Sequence, residues 1–234
     1  MNIDLSGKTA LVGGSSQGIG LAVAQQLAAQ GAHVILMARS EQTLAEVCRQ
    51  LDTTKEQQHR YITVDLQQPE QAVAALQTLT NHQANIDILV NNSGGPPPGP
   101  AHKADADSYV TAFKQHLIAN QLFTQAVIPH MRQRQWGRII NVISTSVKQP
   151  IPNLGVSNTI RGAVASWAKT LAAELGPDNI TVNNVLPGYT TTSRLTALIE
   201  GAGARLGKTT EEIEKKWKKY WEDNEVYQVS NESD

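Results

Sequence analysis

Near the start of the chain, Gly13-Gly14-Ser15-Ser16-Gln17-Gly18-Ile19-Gly20 stands between a short apolar run and a helically patterned stretch. Glycines allow a tight turn there, and without Cβ atoms the backbone can approach a pyrophosphate closely. A helix that opens at such a loop turns free N–H groups and the positive end of its dipole toward the anion. A glycine-rich loop alone is a weak signal; between an N-terminal strand and a helix it is much stronger. The next apolar run ends Leu36-Met37-Ala38-Arg39-Ser40, with no Asp or Glu at the turn to accept ribose hydroxyls. Arg39 could instead pair with a 2′-phosphate, with Ser40 adding a hydrogen bond, or it is a solvated arginine on a loop.

These residues need a scaffold, and the rest of the chain spells one out. Brief β-branched runs at 9–12, 33–37, 61–64, 86–90, 138–143 and 180–185 read as strands covered on both faces. Between them, 19–30, 42–51, 70–80, 108–134 and 156–175 carry apolar residues at helical spacing. The alternation implies right-handed βαβ units and a doubly wound parallel sheet of about six strands, with helices on both faces. Residues 94–100 form a proline-rich loop, expected to be stiff and extended rather than a hinge. After about residue 190 the pattern changes. Residues 209–221 read as an amphipathic helix capped by Thr209 or Thr210, with Ile213, Trp217, Tyr220 and Trp221 on one face. The polar tail from 222 is expected to fray.

At 234 residues the chain suits a single domain, 1–234, in which 192–234 forms an atypical C-terminal lid or docked helix. A net charge of −1 argues against nucleic acid or an anionic membrane as the main partner. No apolar run approaches the ~20 residues of a membrane span. The first strand begins too near Met1 to leave room for a signal peptide. The single cysteine, Cys48, excludes an internal disulfide and fits a reducing compartment, so the expected location is the cytoplasm. No histidine sits with Cys, Asp or Glu at ligand spacing, and no metal site is expected.

The spacing Gly14-x-x-x-Gly18-x-Gly20 resembles the short-chain dehydrogenase/reductase family. So do Asp65-Leu66 after the third strand, Asn91-Asn92-Ser93-Gly94 after the fourth, and Pro187-Gly188 with Thr192 after the sixth. The divergent branch it looks like is similar to bacterial 3-oxoacyl-ACP reductases. The resemblance implies that Gly14, Ser16, Gly18, Ile19 and Gly20 cradle the pyrophosphate. It implies further that Asp65 and Leu66 border the adenine, that Asn92 and Gly94 line the cleft, and that Pro187, Gly188 and Thr192 touch the nicotinamide amide. With Arg39 and Ser40 at the second strand's end, it implies NADP(H). Gly13 stands where the family usually has Thr, whose hydroxyl braces the loop, so a looser loop is expected.

The family's catalytic set is Asn, Ser, Tyr and Lys. Only the serine is kept, as Ser144. The tyrosine position is Ser157, the lysine position Arg161 and the asparagine position His116. A serine hydroxyl is a far weaker acid than a phenol, whose pKa is about 10. Arg161 can hold ribose hydroxyls but cannot exchange a proton as lysine does. His116 is the one replacement whose side chain titrates near neutrality, or it is a histidine packed against the sheet. Tyr189 could supply a phenol from another direction, or simply pack in the substrate loop. The family's last strand, ending in a Val-Asp-Gly-Gly type motif, is not found. A homo-oligomer, with a dimer favoured through the helices at 108–134 and 156–175, is the corresponding expectation. Two readings follow. One is an NADP(H)-dependent oxidoreductase acting on a small carbonyl or alcohol; the other is an inactive NADP(H)-binding sensor or partner subunit.

Overall fold

Strand follows from composition here. Each expected run becomes one strand of a single sheet: β1 (Thr9–Gly13), β2 (His33–Ala38), β3 (Arg60–Thr63), β4 (Ile88–Asn91), β5 (Gly137–Val142) and β6 (Ile180–Val185). The structure is a computed structural model that describes residues 3–81, 85–188 and 190–223. The sheet order is β3-β2-β1-β4-β5-β6, and each neighbouring pair is parallel. Chain order reverses between β1 and β4, which opens a crevice at their carboxyl ends, the usual ligand position in open α/β sheets. The chain divides into two units, Met1–Val185 and Leu186–Asp234.

In the first unit the helices are α1 (Gly18–Ala29), α2 (Glu41–Gln50), α3 (Pro69–Asn81), α4 (Ala106–Phe113), α5 (Ala119–Arg134) and α6 (Gly155–Leu175). Alternation along the central strands sends side chains into two cores. Leu11, Leu89 and Ile139 join Phe123, Val127, Met131 and Ala168 on one face. Ala10, Val12, Ile88 and Val90 meet Ala24, Ala28, Leu44 and Val47 on the other. Burying both faces is why these strands are continuously apolar.

The long helix expected at 108–134 is interrupted. Asp105 caps α4: its carboxylate accepts the Ser108 N–H at 2.6 Å. Hydrogen bonds from the Ser108 side chain and backbone hold the Asp105 carboxyl below its ordinary value. That stabilisation is present above the unfolded pKa of ~3.9 and is lost as pH falls through the depressed folded value. Between α4 and α5, Lys114–Ile118 forms a wider π turn, with His116 in it. Such turns are frequent at functional sites because they re-aim side chains without ending the helix.

The second unit holds α7 (Ser193–Leu206) and α8 (Thr210–Asp223). The helix expected at 209–221 is α8, whereas α7 was not foreseen. A reciprocal cap starts α8: Thr209 N–H donates to Glu212 Oε2 at 3.0 Å, and Glu212 N–H donates to Thr209 Oγ1 at 3.2 Å. Ile213 is fully buried against Ile199 and Ala202 of α7, with Trp217 packed beside them. The side chains of Tyr220 and Trp221 and the tail at 224–234 lie outside the described residues. Among the described residues no helix is long and apolar enough to cross a membrane.

Removing the cap should loosen α8 alone. Thr209→Ala should cost about 1 kcal/mol and speed amide exchange in α8 about fivefold, with protection in β1 to β6 unchanged by hydrogen-exchange mass spectrometry.

Candidate active site

The site grows from the loop between β1 and α1. Gly14 and Gly18 have φ of 57° and 58°, a conformation that side chains disfavour. A Cβ on Gly13 would stand 2.6 Å from the Asn92 carbonyl oxygen, and one on Gly14 would stand 2.8 Å from Asn92 Nδ2. A Cβ on Gly20 would fall against the Gly14 carbonyl oxygen and 2.7 Å from Asn92 Nδ2. The glycines are therefore required twice, by backbone conformation and by the approach of Asn92 from the end of β4.

Gly13 lacks the family's bracing hydroxyl, and the bracing is done by other groups. Asn92 Nδ2 donates to the Gly13 carbonyl at 3.1 Å. Ser15 is fully buried, and its Oγ accepts the Met37 N–H at 2.9 Å, tying the loop to β2. The looseness expected from Gly13 is not what these bonds describe. At the start of α1 the N-cap residue Gln17 makes no side-chain cap bond. The first-turn N–H groups and the Cβ-free cradle fit the pyrophosphate of a dinucleotide.

The other expected cofactor residues divide between the two units. Arg39 and Ser40 are exposed at the carboxyl end of β2, and Ser40 caps α2 by accepting the Thr43 N–H at 3.3 Å. Asp65 follows β3, where its Oδ1 accepts the Gln67 N–H at 3.0 Å, while Leu66 packs on the core. Ser16 and Ile19 lie half-buried in the glycine loop and the first turn of α1. The Gly94 carbonyl accepts Gln115 Nε2 at 2.6 Å. Pro187, Gly188 and Thr192 belong to the second unit, where the Thr192 hydroxyl caps α7 by accepting the Leu195 N–H at 3.2 Å. Tyr189 lies outside the described residues.

Two of the positions expected to be catalytic, His116 and Arg161, meet just beyond the end of β4. Ser157 and Arg161 lie four residues apart on α6, and so share a face. Arg161 is 9% exposed; its Nη1 donates to the Val142 carbonyl at 2.9 Å and its Nη2 to the Ser93 carbonyl at 3.5 Å. The guanidinium thus spans the ends of β5 and β4. Ser144, two residues beyond β5, is half-buried, and its Oγ accepts the Ser146 N–H at 3.0 Å. His116 is 1% exposed, and its Nδ1 lies 2.7 Å from Ser93 Oγ. Glycine loop, Asn92, Ser93, His116, Arg161 and the end of β5 are therefore one connected group within the first unit.

A second clamp holds the proline-rich loop. Gly99 N–H donates to the Asn153 carbonyl at 2.8 Å, and Gly155 N–H donates to the Gly99 carbonyl at 2.9 Å. A Cβ on Gly155 would collide with Ala101, so glycine is needed at the start of α6. Asn158, beside Ser157, pairs both polar atoms with the backbone of Ile151, at 2.9 and 3.3 Å. The expected stiff, extended loop is bonded to the β5–α6 connection much as a strand would be.

Residues 8–203 match the short chain dehydrogenase family. The chain belongs to that family. Among short-chain dehydrogenase relatives, the 3-oxoacyl-[acyl-carrier-protein] reductase FabG of Aquifex aeolicus is 32% identical over 202 residues, covering 86% of this chain and 81% of the relative. The short-chain reductase protein NovJ of Streptomyces niveus is 34% identical over 196 residues, covering 83% and 73%. The L-sorbose reductase of Gluconobacter frateurii, solved with NADPH and L-sorbose, superposes with a TM-score of 0.85 at 29% identity, covering 100% of this chain and 88% of that one.

Ser93, Ser15 and Asn158 were not singled out from the sequence. The signal for Ser93 was there, as Ser in place of the family's Ala in Asn-Asn-Ala-Gly. Ser15 and Asn158 carry no such signal, because their partners are remote backbone atoms.

Gly20→Ala tests the cradle. Forcing a methyl against the Gly14 carbonyl should cost about 1–3 kcal/mol and weaken dinucleotide binding about tenfold or more, by calorimetric titration, with the circular dichroism of the fold retained.

Proposed function

We propose that this member of the short-chain dehydrogenase family is an NADP(H)-dependent carbonyl reductase or alcohol dehydrogenase, 3-oxoacyl-reductase-like, with a non-standard active site. One observation carries the reading: Asn92 joins the glycine cradle to the group formed by Ser93, Arg161 and the end of β5, at the carboxyl ends of the central strands. A dinucleotide held in the cradle and a polar group able to meet its reactive end would share that crevice. The reductase names of the relatives, and the NADPH in the sorbose reductase complex, support the same class. When bound, the nicotinamide would supply or accept the hydride. Arg39 would pair with the 2′-phosphate, Asp65 would meet the adenine, and Ser144 would orient the substrate oxygen. Arg161 would hold the ribose or polarise that oxygen, and His116 or Ser157 would serve the proton transfer. Losing the phenol leaves alignment and charge stabilisation in place. The substrate is a small carbonyl or alcohol, and the cytoplasm is the compartment we assign.

NADPH should bind more tightly than NADH in a fluorescence titration, and Arg39→Ala should erase about tenfold of that preference. Ser144→Ala should lower kcat about a hundredfold. Turnover unchanged from wild type in both Ser144→Ala and Arg161→Ala would remove these roles.

A second reading, an inactive NADP(H) sensor or partner subunit, is favoured by two features. Arg161 turns its guanidinium to strand carbonyls, and His116 is buried. NADPH binding without turnover on any carbonyl would favour it, and no binding of either nucleotide would overturn both readings.

A homodimer through α4, α5 and α6 completes the proposal. Val110 and Phe113 are 50% and 40% exposed on α4, which supports a covered apolar face. Light scattering should give twice the chain mass; a monomer would refute the dimer.

A further inference from the structure

Ser93 carries a hydroxyl where the family motif has a methyl, and that hydroxyl touches the residue replacing the family's asparagine. The imidazole of His116 is 1% exposed and cannot itself meet a substrate, whereas Ser93 is half-buried, two residues beyond the carboxyl end of β4. The Ser93 backbone is fixed on both sides: Arg161 holds its carbonyl, Gln115 holds that of Gly94, and Asn92 is bonded to the glycine loop. The π turn presents Gln115 and His116 together to these two residues.

We propose that Ser93 is a catalytic residue: its hydroxyl exchanges the proton with the substrate oxygen, and buried His116 acts through it as proton store. This rests on the reductase reading above. In the reducing direction the hydride would come from a dinucleotide held in the glycine cradle. As the carbonyl π bond breaks, the O–H proton of Ser93 moves to the substrate oxygen, and the Nδ1 proton of a protonated His116 moves to Ser93 Oγ. The serine ends unchanged, the imidazolium ends as neutral imidazole, and the product alcohol carries the proton. Water returns a proton through Ser93 once the product has left. Imidazole suits the task because it changes charge near neutral pH. The relay uses a hydroxyl in place of the lost phenol, and geometry rather than hydroxyl acidity makes it competent.

The test compares wild type, Ser93→Ala and Ser93→Thr in NADPH oxidation with a panel of ketones, and records nitrogen-15 spectra of histidine-labelled protein. The His116 resonances are assigned by their loss in His116→Gln. Ser93→Ala should lower kcat about a hundredfold while KM for NADPH stays within about twofold, and should shift the His116 Nδ1 resonance. Ser93→Thr, which keeps the hydroxyl, should recover most of both. A structural role alone would not give a kcat loss rescued by threonine with KM unmoved. If wild type turns over and Ser93→Ala matches it, the relay is wrong and the reductase reading stands. The relay is also wrong if the Nδ1 resonance is unmoved in Ser93→Ala. If wild type binds NADPH and reduces no ketone, the reductase reading fails and the relay fails with it.

Discussion

The constraint on which the rest of the site depends is the approach of Asn92 to the glycine loop. Gly13, Gly14 and Gly20 each have Asn92 atoms where a Cβ would be, between 2.6 and 2.8 Å away. Few arrangements of β1, α1 and β4 satisfy three such contacts at once. With the loop pinned, the amides of the first turn of α1 face the crevice, and the chain beyond Asn92 leaves β4 in one direction. The cofactor cradle and the residues after it are thus built as one piece. Ser15, tied to the backbone of β2, extends the piece across the sheet.

From that anchored exit, Ser93 becomes the meeting point of positions far apart in the chain. Its carbonyl receives Arg161 of α6 and its hydroxyl meets His116 of the π turn. A buried guanidinium is costly unless its donors are satisfied, and here strand-end carbonyls receive them. Charge-assisted bonds of this kind contribute about 1.5–3 kcal/mol each. Arg161 is therefore a structural brace between the segments that leave β4 and β5. Arginine's planar fork spans two acceptors on neighbouring strands, which lysine's single point of charge does less well.

Much of this was legible beforehand. The expected strands at 9–12, 33–37, 61–64, 86–90, 138–143 and 180–185 all formed, displaced by two residues at most, because β-branched runs buried on both faces have few alternatives. The glycine spacing, together with the motifs after the third, fourth and sixth strands, pointed to the family. The π turn at Lys114–Ile118 was invisible, since one extra residue in a turn barely disturbs helical periodicity over so long a segment. Helix α7 was missed although Leu195, Ile199 and Ala202 lie at helical spacing; two glycines, Gly201 and Gly203, are weak helix formers. Where Arg161 and His116 aim was not legible in the sequence, because their partners lie 19 to 68 positions away.

The sequence by itself therefore determined the fold class, the family and the glycine spacing of the loop after β1. These depend on local pattern: burial periodicity, glycine spacing and residue type along one segment. Tertiary structure alone decided which groups meet. The pairing of Ser93 with His116 spans 23 positions, that of Arg161 with Val142 spans 19, and that of Arg161 with Ser93 spans 68. Such meetings depend on how strands stack and how a helix rotates over them, and the partners are often backbone atoms that every residue carries alike.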